Sequence, residues 1–388
     1  MKYRYKLSLL KKIFKDKKKE SKKFSYPLLT DGYSSSDLQE ASKILLSERI
    51  TMSKMTKKFE KFFANKIGAR YALMVNSGSS ANLLATFCLL NPYKKNRLKK
   101  GDECLVPALC WSTSLWPIVQ AGLKPIFVDV NINTFTIDFE TIKKSVTKKT
   151  KAVMLLNVLG NCSEMEKIKN FLRKKKIILI EDTCEALGSK YKNKYLGTFG
   201  EFGCFSFYPT KNLGCFGDGG AIVFKKNKYS EEIKSLRNHG STKNYYHKYI
   251  GLNSRLDSIQ GLILKLKLGE INKNLNLRIK NNNLYRNLLD NNHVNLHSQI
   301  NQPMNVFPIT VKDASLMNKI KSNLKKNKVG FGTYYPFGLQ EFPISQLKQS
   351  KSDFKNTDYV KKNIVTIPCH SKISSEDIKK ISNIINES

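Results

Sequence analysis

Acidic residues are scarce in this chain of 388 residues. Asp and Glu number 31 against 68 Lys and Arg, a formal net charge of +37. Such an imbalance invites polyanionic partners: nucleic acid, an acidic membrane or a phosphorylated substrate. The excess is spread along the whole chain, so lysines scattered over helix surfaces are the reading preferred for it. Long apolar runs are lacking too. None approaches the roughly 20 residues of a membrane span. The basic start, residues 1–24, has no sustained apolar core of the kind a secretory leader carries. The cysteines are Cys88, Cys104, Cys110, Cys162, Cys184, Cys204, Cys215 and Cys369. They form no CxxC pair, and no Cys/His spacing matches a zinc site, so no metal centre is expected. Several lie in apolar runs and read as buried thiols of a reducing, cytoplasmic compartment. Glycine (21) and proline (11) are not inflated, which excludes collagen-like and wholly disordered chains.

Hydrophobic residues make up 40% of the chain, enough for one large domain and a smaller one. Residues 1–25 form a lysine-rich tail with one weakly apolar face (Leu7, Leu10, Ile13, Phe14). It reads as a solvated tail or as a weak contact with anionic lipid. Helices are expected over 36–46 and 52–67. Strands are then expected at 71–75, 103–107, 125–130, 151–158 and 177–182. The intervening helices run to 90, over 111–121 (with Pro117 interrupting) and over 163–175. Near-continuous apolar strands separated by helices predict an α/β fold with a mostly parallel central sheet flanked by helices. Short strands follow at 205–207 and 221–224, then a long helix from 255 to about 289, then a mixed tail. The expected division is a tail at 1–25, a large domain at 26–265 and a small C-terminal α+β domain at 266–388.

Four constellations carry chemistry. The stretch Asn76-Ser77-Gly78-Ser79-Ser80-Ala81-Asn82 takes a strand through a small-residue turn into a helix. That arrangement aims free backbone N–H groups and the positive helix end at an anion, phosphate best of all. It lacks the Gly-Lys-Ser/Thr ending of a P-loop. A plain helix cap at Ser79 or Ser80 is the alternative. Next, Glu181 and Asp182 end a strand, where open parallel sheets bind their ligands. A loop or capping acid is the other reading of Asp182. Third, Lys211 follows an aromatic strand and precedes the glycine-dense Gly217-Asp218-Gly219-Gly220. A lysine in a desolvated pocket loses its proton and forms a Schiff base; a lone lysine elsewhere is a solvated charge. Fourth, Asn253-Ser254-Arg255-Leu256-Asp257 opens the long helix. Cup, acid and lysine, in that chain order on a parallel sheet, are what pyridoxal 5′-phosphate requires.

With these motifs the chain resembles the DegT-type sugar-nucleotide aminotransferases, within the fold type I pyridoxal-phosphate enzymes, from about residue 26 to the C-terminus. The resemblance implies that Lys211 joins the cofactor's aldehyde and moves protons in turnover. It implies that Asp182 pairs with the ring nitrogen and that Gly78, Ser79 and Ser206 contact the phosphate. Trp111 would stack on the ring and Glu185 would stand near its phenolic oxygen, where the family often has Gln or His. Asn253 resembles the residue that reaches the neighbouring subunit's cofactor, implying a homodimer with shared active sites. The implied reaction moves an amine from glutamate to a nucleotide-linked keto-deoxysugar, for surface polysaccharide or amino-sugar synthesis. Lys248 and Arg255 are candidates for the substrate diphosphate, and Tyr334-Tyr335 lines the sugar pocket or packs the core. Trp111-Ser112-Thr113, residues 157–161 and Cys184-Glu185 also resemble the deoxysugar 3-dehydratase branch, in which histidine replaces the lysine. A nucleic-acid-binding regulator on the same fold is the rival class. The chain shows no helix-turn-helix, so no specific nucleic acid is expected.

Overall fold

The computed structural model describes residues 24–30, 35–46, 51, 54–92, 97–311, 313–344, 347 and 353–388. The basic tail and its expected lipid contact lie almost wholly outside the described residues. Helices α1 (Ser35–Leu46) and α2 (Lys54–Ile67) lead into β1 (Tyr71–Val75) and α3 (Gly78–Leu90). The chain then alternates: β2 (Glu103–Pro107), α4 (Ser112–Gln120), β3 (Lys124–Val128), α5 (Phe139–Ser145), β4 (Thr150–Leu156), α6 (Met165–Lys174) and β5 (Ile178–Asp182). A small hairpin, β6 (Lys190–Tyr191) and β7 (Lys194–Tyr195), precedes β8 (Phe202–Ser206) and β9 (Gly220–Phe224).

Seven of these strands form one sheet in the order β1-β9-β8-β5-β4-β2-β3. The pairs β3/β2, β2/β4, β4/β5 and β5/β8 are parallel; β9 runs antiparallel to both β8 and β1. Strands β2 and β9 are buried at every position, as strands covered on both faces must be. In register, Asp182 lies opposite Leu156 on one side and Cys204 on the other. The carboxyl ends of three strands are thereby aligned around it.

After α7 (Lys228–Leu236) and a short hairpin, β10 (Ser241–Lys243) and β11 (Tyr246–His247), helix α8 runs Ser258–Leu288. The expected domain limit at 265/266 falls inside this continuous helix. An antiparallel sheet of β12 (Val294–Leu296), β13 (Val306–Val311) and β14 (Ile364–Pro368) follows, with helices α9 (Ala314–Lys326), α10 (Lys355–Asn363) and α11 (Ser375–Asn386). Residues near Tyr26 bridge to Val329, so the first described segment packs on this C-terminal unit. Beneath α2, the rings of Phe63, Phe205 and Phe207 meet edge to face at 5.2 Å. Each fully buried phenyl contributes about 2 kcal/mol, and together they anchor the strand that delivers Lys211.

Several expected bounds shift. The strand read as 125–130 is Lys124–Val128, and that read as 151–158 is Thr150–Leu156, followed by a 3-10 turn at Val158–Gly160. The long helix starts at Ser258 instead of 255. Pro117 does not interrupt α4, which continues to Gln120. Proline removes the N–H that would meet the carbonyl four residues back. That carbonyl, of Thr113, accepts instead from the side-chain amide of Asn82 at 3.3 Å.

Candidate active site

Successive strand residues point to opposite faces, and this separates the two acids that end β5. Glu181 is fully buried and accepts the backbone N–H groups of Gly197, Phe199 and Gly200 at 2.6–2.7 Å, so it holds a loop. Burial pushes its carboxyl up. Asp182, also buried, faces the other way. Its Oδ2 accepts from Asn82 Nδ2 at 2.6 Å and from Ser114 Oγ at 2.7 Å; its Oδ1 accepts the Cys184 N–H at 3.1 Å. All three donors are neutral, so the Asp182 carboxylate has no cation spent on it by the residues that orient it.

The first turn of α3 lies beside this acid. Its N-cap is Ser77, whose Oγ accepts the Ser80 N–H at 3.0 Å. The cap therefore falls at neither Ser79 nor Ser80, the two expected positions, but two residues before the first of them, and Ser79 itself is exposed. A Cβ on Gly78 would come within 2.7 Å of Cys184 Sγ and 2.8 Å of Ser206 Cβ. Only glycine lets the helix start approach the ends of β5 and β8 so closely. Ser206 Oγ accepts the Tyr208 N–H at 3.3 Å. Gly220 is as tightly packed: its Cβ would lie 2.4 Å from the Ser77 backbone. Asn253, exposed, accepts at its carbonyl from Asn76 Nδ2 at 3.4 Å, so the fourth motif borders the same turn.

Lys211 enters from the loop after β8. The loop is pinned by buried Asn212, whose Nδ2 donates to the carbonyls of Leu187 and Pro303, both at 2.9 Å. Lys211 Nζ lies 3.6 Å from Glu185 Oε1. The same Glu185 oxygen accepts from the Tyr335 hydroxyl at 2.5 Å, and Oε2 accepts the Leu159 N–H at 3.0 Å. Leu159 holds a left-handed φ of 55°, a costly conformation for a branched side chain, and in it the N–H meets the carboxylate. Burial, then Glu185, push the Tyr335 phenol well up. Burial and then Asp182 push the Cys184 thiol up while Lys211 opposes them, so Asp182, Cys184 and Lys211 share one electrostatic neighbourhood. Trp111 is 56% exposed at the start of α4, with its ring 6.0 Å from that of Tyr335. At the outer side, Arg255 Nη1 bonds Asn238 Oδ1 at 2.5 Å and meets His239 Nε2 at 3.0 Å.

The structure thus brings Gly78, Ser206, Asp182, Glu185 and Lys211 into one neighbourhood at the ends of β5 and β8, with Ser79, Trp111 and Asn253 at its border. Ser114, Leu159 and the role of Asn82 were missed. Asn82 carried a signal: it follows Gly78 by four residues, one helical turn, and so shares its face. Among the described residues, no group of three or more His, Cys, Asp or Glu is placed to hold a metal. The eight cysteines are free thiols, seven of them buried.

A helix start kept open by glycine, a buried carboxylate oriented by neutral donors and an amine facing a second carboxylate form a donor set that fits pyridoxal phosphate. The fold is that of a fold type I pyridoxal-phosphate enzyme. The chain belongs to the DegT/DnrJ/EryC1/StrS aminotransferase family, whose profile matches residues 33–386, and its cofactor is pyridoxal 5′-phosphate. Over 182 residues it is 44% identical to the GDP-4-keto-6-deoxy-D-mannose 3-dehydratase of Escherichia coli O55:H7, covering 47% of each chain. The match thus spans about half the length of that curated relative. It is 29% identical to the dTDP-3-amino-3,6-dideoxy-alpha-D-galactopyranose transaminase of Aneurinibacillus thermoaerophilus, over 84% of this chain and 88% of that one. The crystal structure of a GDP-4-keto-6-deoxymannose-3-dehydratase with a trapped PLP-glutamate geminal diamine matches with a TM-score of 0.88 at 29% identity. It covers 93% of this chain and 100% of the other. Transaminases and 3-dehydratases therefore stand side by side among the relatives.

Proposed function

We propose that the protein is an aminotransferase that moves the amino group of glutamate to the ketone of a nucleotide-linked deoxysugar. The observation that carries this reading is the amine of Lys211, partly shielded, 3.6 Å from Glu185 and in one electrostatic neighbourhood with buried Asp182. The resemblance in sequence puts a histidine at this place in the dehydratase branch, and an amine here is what transamination uses.

When bound, pyridoxal phosphate supplies an aldehyde that joins amines and a protonated ring that draws off electrons. Asp182 keeps the proton on the ring nitrogen, and Asn82 and Ser114 hold its carboxylate in line. The first turn of α3, with Gly78, Ser79 and Ser206, receives the phosphate through free N–H groups and hydroxyls. Lys211 would hold the aldehyde and, once displaced by the incoming amine, would act as base and acid, carrying a proton from the donor's α-carbon to the cofactor's aldehyde carbon in the first half-reaction and from that carbon to the sugar carbon in the second. Glu185, held by Tyr335 and Leu159, orients the Lys211 amine. Trp111 covers the outer face, and Asn253 serves the cofactor of a second subunit in a homodimer. The setting is the synthesis of surface polysaccharide.

The 3-dehydratase reading is favoured by the 44% identical stretch and by the 0.88 TM-score match. The two separate in one experiment. The holoenzyme is incubated with isotope-labelled glutamate and GDP-, dTDP- or UDP-linked 4-keto-6-deoxysugars, and the products are weighed by mass spectrometry. Transamination leaves the label in a sugar that has exchanged its ketone for an amine. Dehydration gives a sugar short of one hydroxyl oxygen and sends the label into ammonia. An unlabelled, deoxygenated sugar would overturn the aminotransferase reading.

A further inference from the structure

At the opposite end of the central sheet lies a second cavity of about 1200 Å³. Lys151 near the start of β4, Ile178 at the start of β5 and Lys225 just after β9 reach it. It is therefore a strand's length from Asp182, roughly 13 Å at about 3.3 Å per residue. Of its 21 lining residues ten are Lys or Arg and two are acids, whereas Lys and Arg are 68 of 388 in the chain. Basic composition alone does not gather half a lining into cations.

Both acids are engaged. Asp102 accepts the Lys99 N–H at 2.8 Å, and Glu201 accepts from Lys226 Nζ at 2.6 Å and from the Tyr229 hydroxyl. Beside the cavity Lys194, partly buried, holds its amine 4.3 Å from the ring centre of Phe199, a lining residue. Its neighbours include two more lysines, Lys225 and Lys169, both on the lining. Burial first, then Lys225 and Lys169, push the Lys194 amine down to about 8. The acids that face it are Glu181, spent on three backbone N–H groups, and the exposed Glu166, paired with Lys192 at 2.7 Å. Like charges gathered in this way cost free energy that a multivalent anion between them would return. Leu89, Leu98 and Leu179 offer an apolar floor for whatever carries the anion.

We infer that this cavity is a binding site for a small multivalent phosphate compound, gripped by Lys169, Lys194 and Lys225 and separate from the cofactor's phosphate cup. The inference holds whichever reaction the active site performs.

Calorimetric titration of the cofactor-loaded protein with inorganic tripolyphosphate at about 0.15 M salt tests it, since general attraction is largely screened there. Lys169→Ala/Lys225→Ala should weaken binding about tenfold or more. Lys319→Ala/Lys326→Ala, which removes the same charge from α9, should change it less than about twofold. A bound anion that restores the Lys194 amine to its ordinary range draws in a proton above pH 8. Affinity should then fall by up to about tenfold per pH unit from about pH 8 to 10. Lys194→Met keeps the stem over Phe199 and should flatten that dependence. Absence of binding to millimolar tripolyphosphate, equal losses in both double variants, or an unchanged pH dependence in Lys194→Met would each overturn the inference.

Discussion

Glu185 takes its orientation from two groups far away in the chain, the Tyr335 hydroxyl and the Leu159 N–H. Hydrogen bonds to a carboxylate favour its charged form. Removing one such charge-assisted bond costs about 1.5–3 kcal/mol. Tyr335→Phe should therefore loosen Glu185 and, with it, the placement of the Lys211 amine. The rate of the glutamate half-reaction at neutral pH, followed by cofactor absorbance, should fall about tenfold while the lysine-bound cofactor band is kept. An unchanged half-reaction rate in a protein that merely loses stability would reduce Tyr335 to packing. Lys211→Ala is the companion test. It should abolish the lysine-bound cofactor band and lower turnover by at least about a thousandfold, since covalent attachment and proton transfer are lost together. An unchanged spectrum in that variant would remove Lys211 from the centre of the site.

Among the elements, α3 is the most demanding. A Cβ at Gly78 meets both Cys184 Sγ and Ser206 Cβ at under 3 Å, and Ser206 Cβ is fixed to its own strand. Gly78→Ala must push the helix start away from β8, an overpacking cost of about 1–3 kcal/mol. Cofactor retention through dialysis should drop by about tenfold or more while the melting temperature shifts only modestly. Retention equal to the wild type would show that the cup is not formed there. The sequence made this element legible, because a strand, a small-residue turn and a helix follow each other without interruption. Lys211 and Asp182 were legible for a related reason: Asp182 ends an apolar strand and Lys211 follows one, and open parallel sheets bind ligands beyond the carboxyl ends of their strands. What the sequence hid depends on contacts between distant segments. Pro117 reads as a break because its missing N–H is a local fact, whereas the Asn82 amide that occupies the freed Thr113 carbonyl comes from 31 residues earlier. Tyr335 is 150 residues from Glu185, and no periodicity links them. Glu181 and Asp182 sit side by side in sequence, and only the pleat sends one to a loop and the other to the cleft.

For the whole molecule, acid should be destabilising, and the reason lies in two histidines that fold into the interior. His297 packs its ring 4.4 Å from that of Phe135 and bonds Thr310 Oγ1 at 2.6 Å. His370 Nε2 donates to the Pro27 carbonyl at 3.0 Å, tying the first described segment to the turn before α11. Burial pushes each imidazole from its ordinary 6.5 down to about 4; backbone hydrogen bonds oppose the shift in both, and Arg278 and Lys372 add to it for His370 while Asp377 opposes it. The folded state thus binds fewer protons than the unfolded chain between about pH 6.5 and pH 4, so stability is lost as pH falls through that window. By pH 5 each histidine accounts for ~2 kcal/mol at 1.36 kcal/mol per unit. Glu181 acts in the opposite sense. Its raised carboxyl takes up a proton earlier in the folded state than in the unfolded one, which returns some stability on acidification. The net loss should therefore be smaller than the two histidines alone would give. Thermal unfolding of the cofactor-loaded protein should show a midpoint that falls between pH 7 and pH 5. His297→Gln, which keeps a polar partner for Thr310 without the titration, should show a shallower fall from a lower starting midpoint. A slope as steep in His297→Gln as in the wild type would assign the acid sensitivity to other groups.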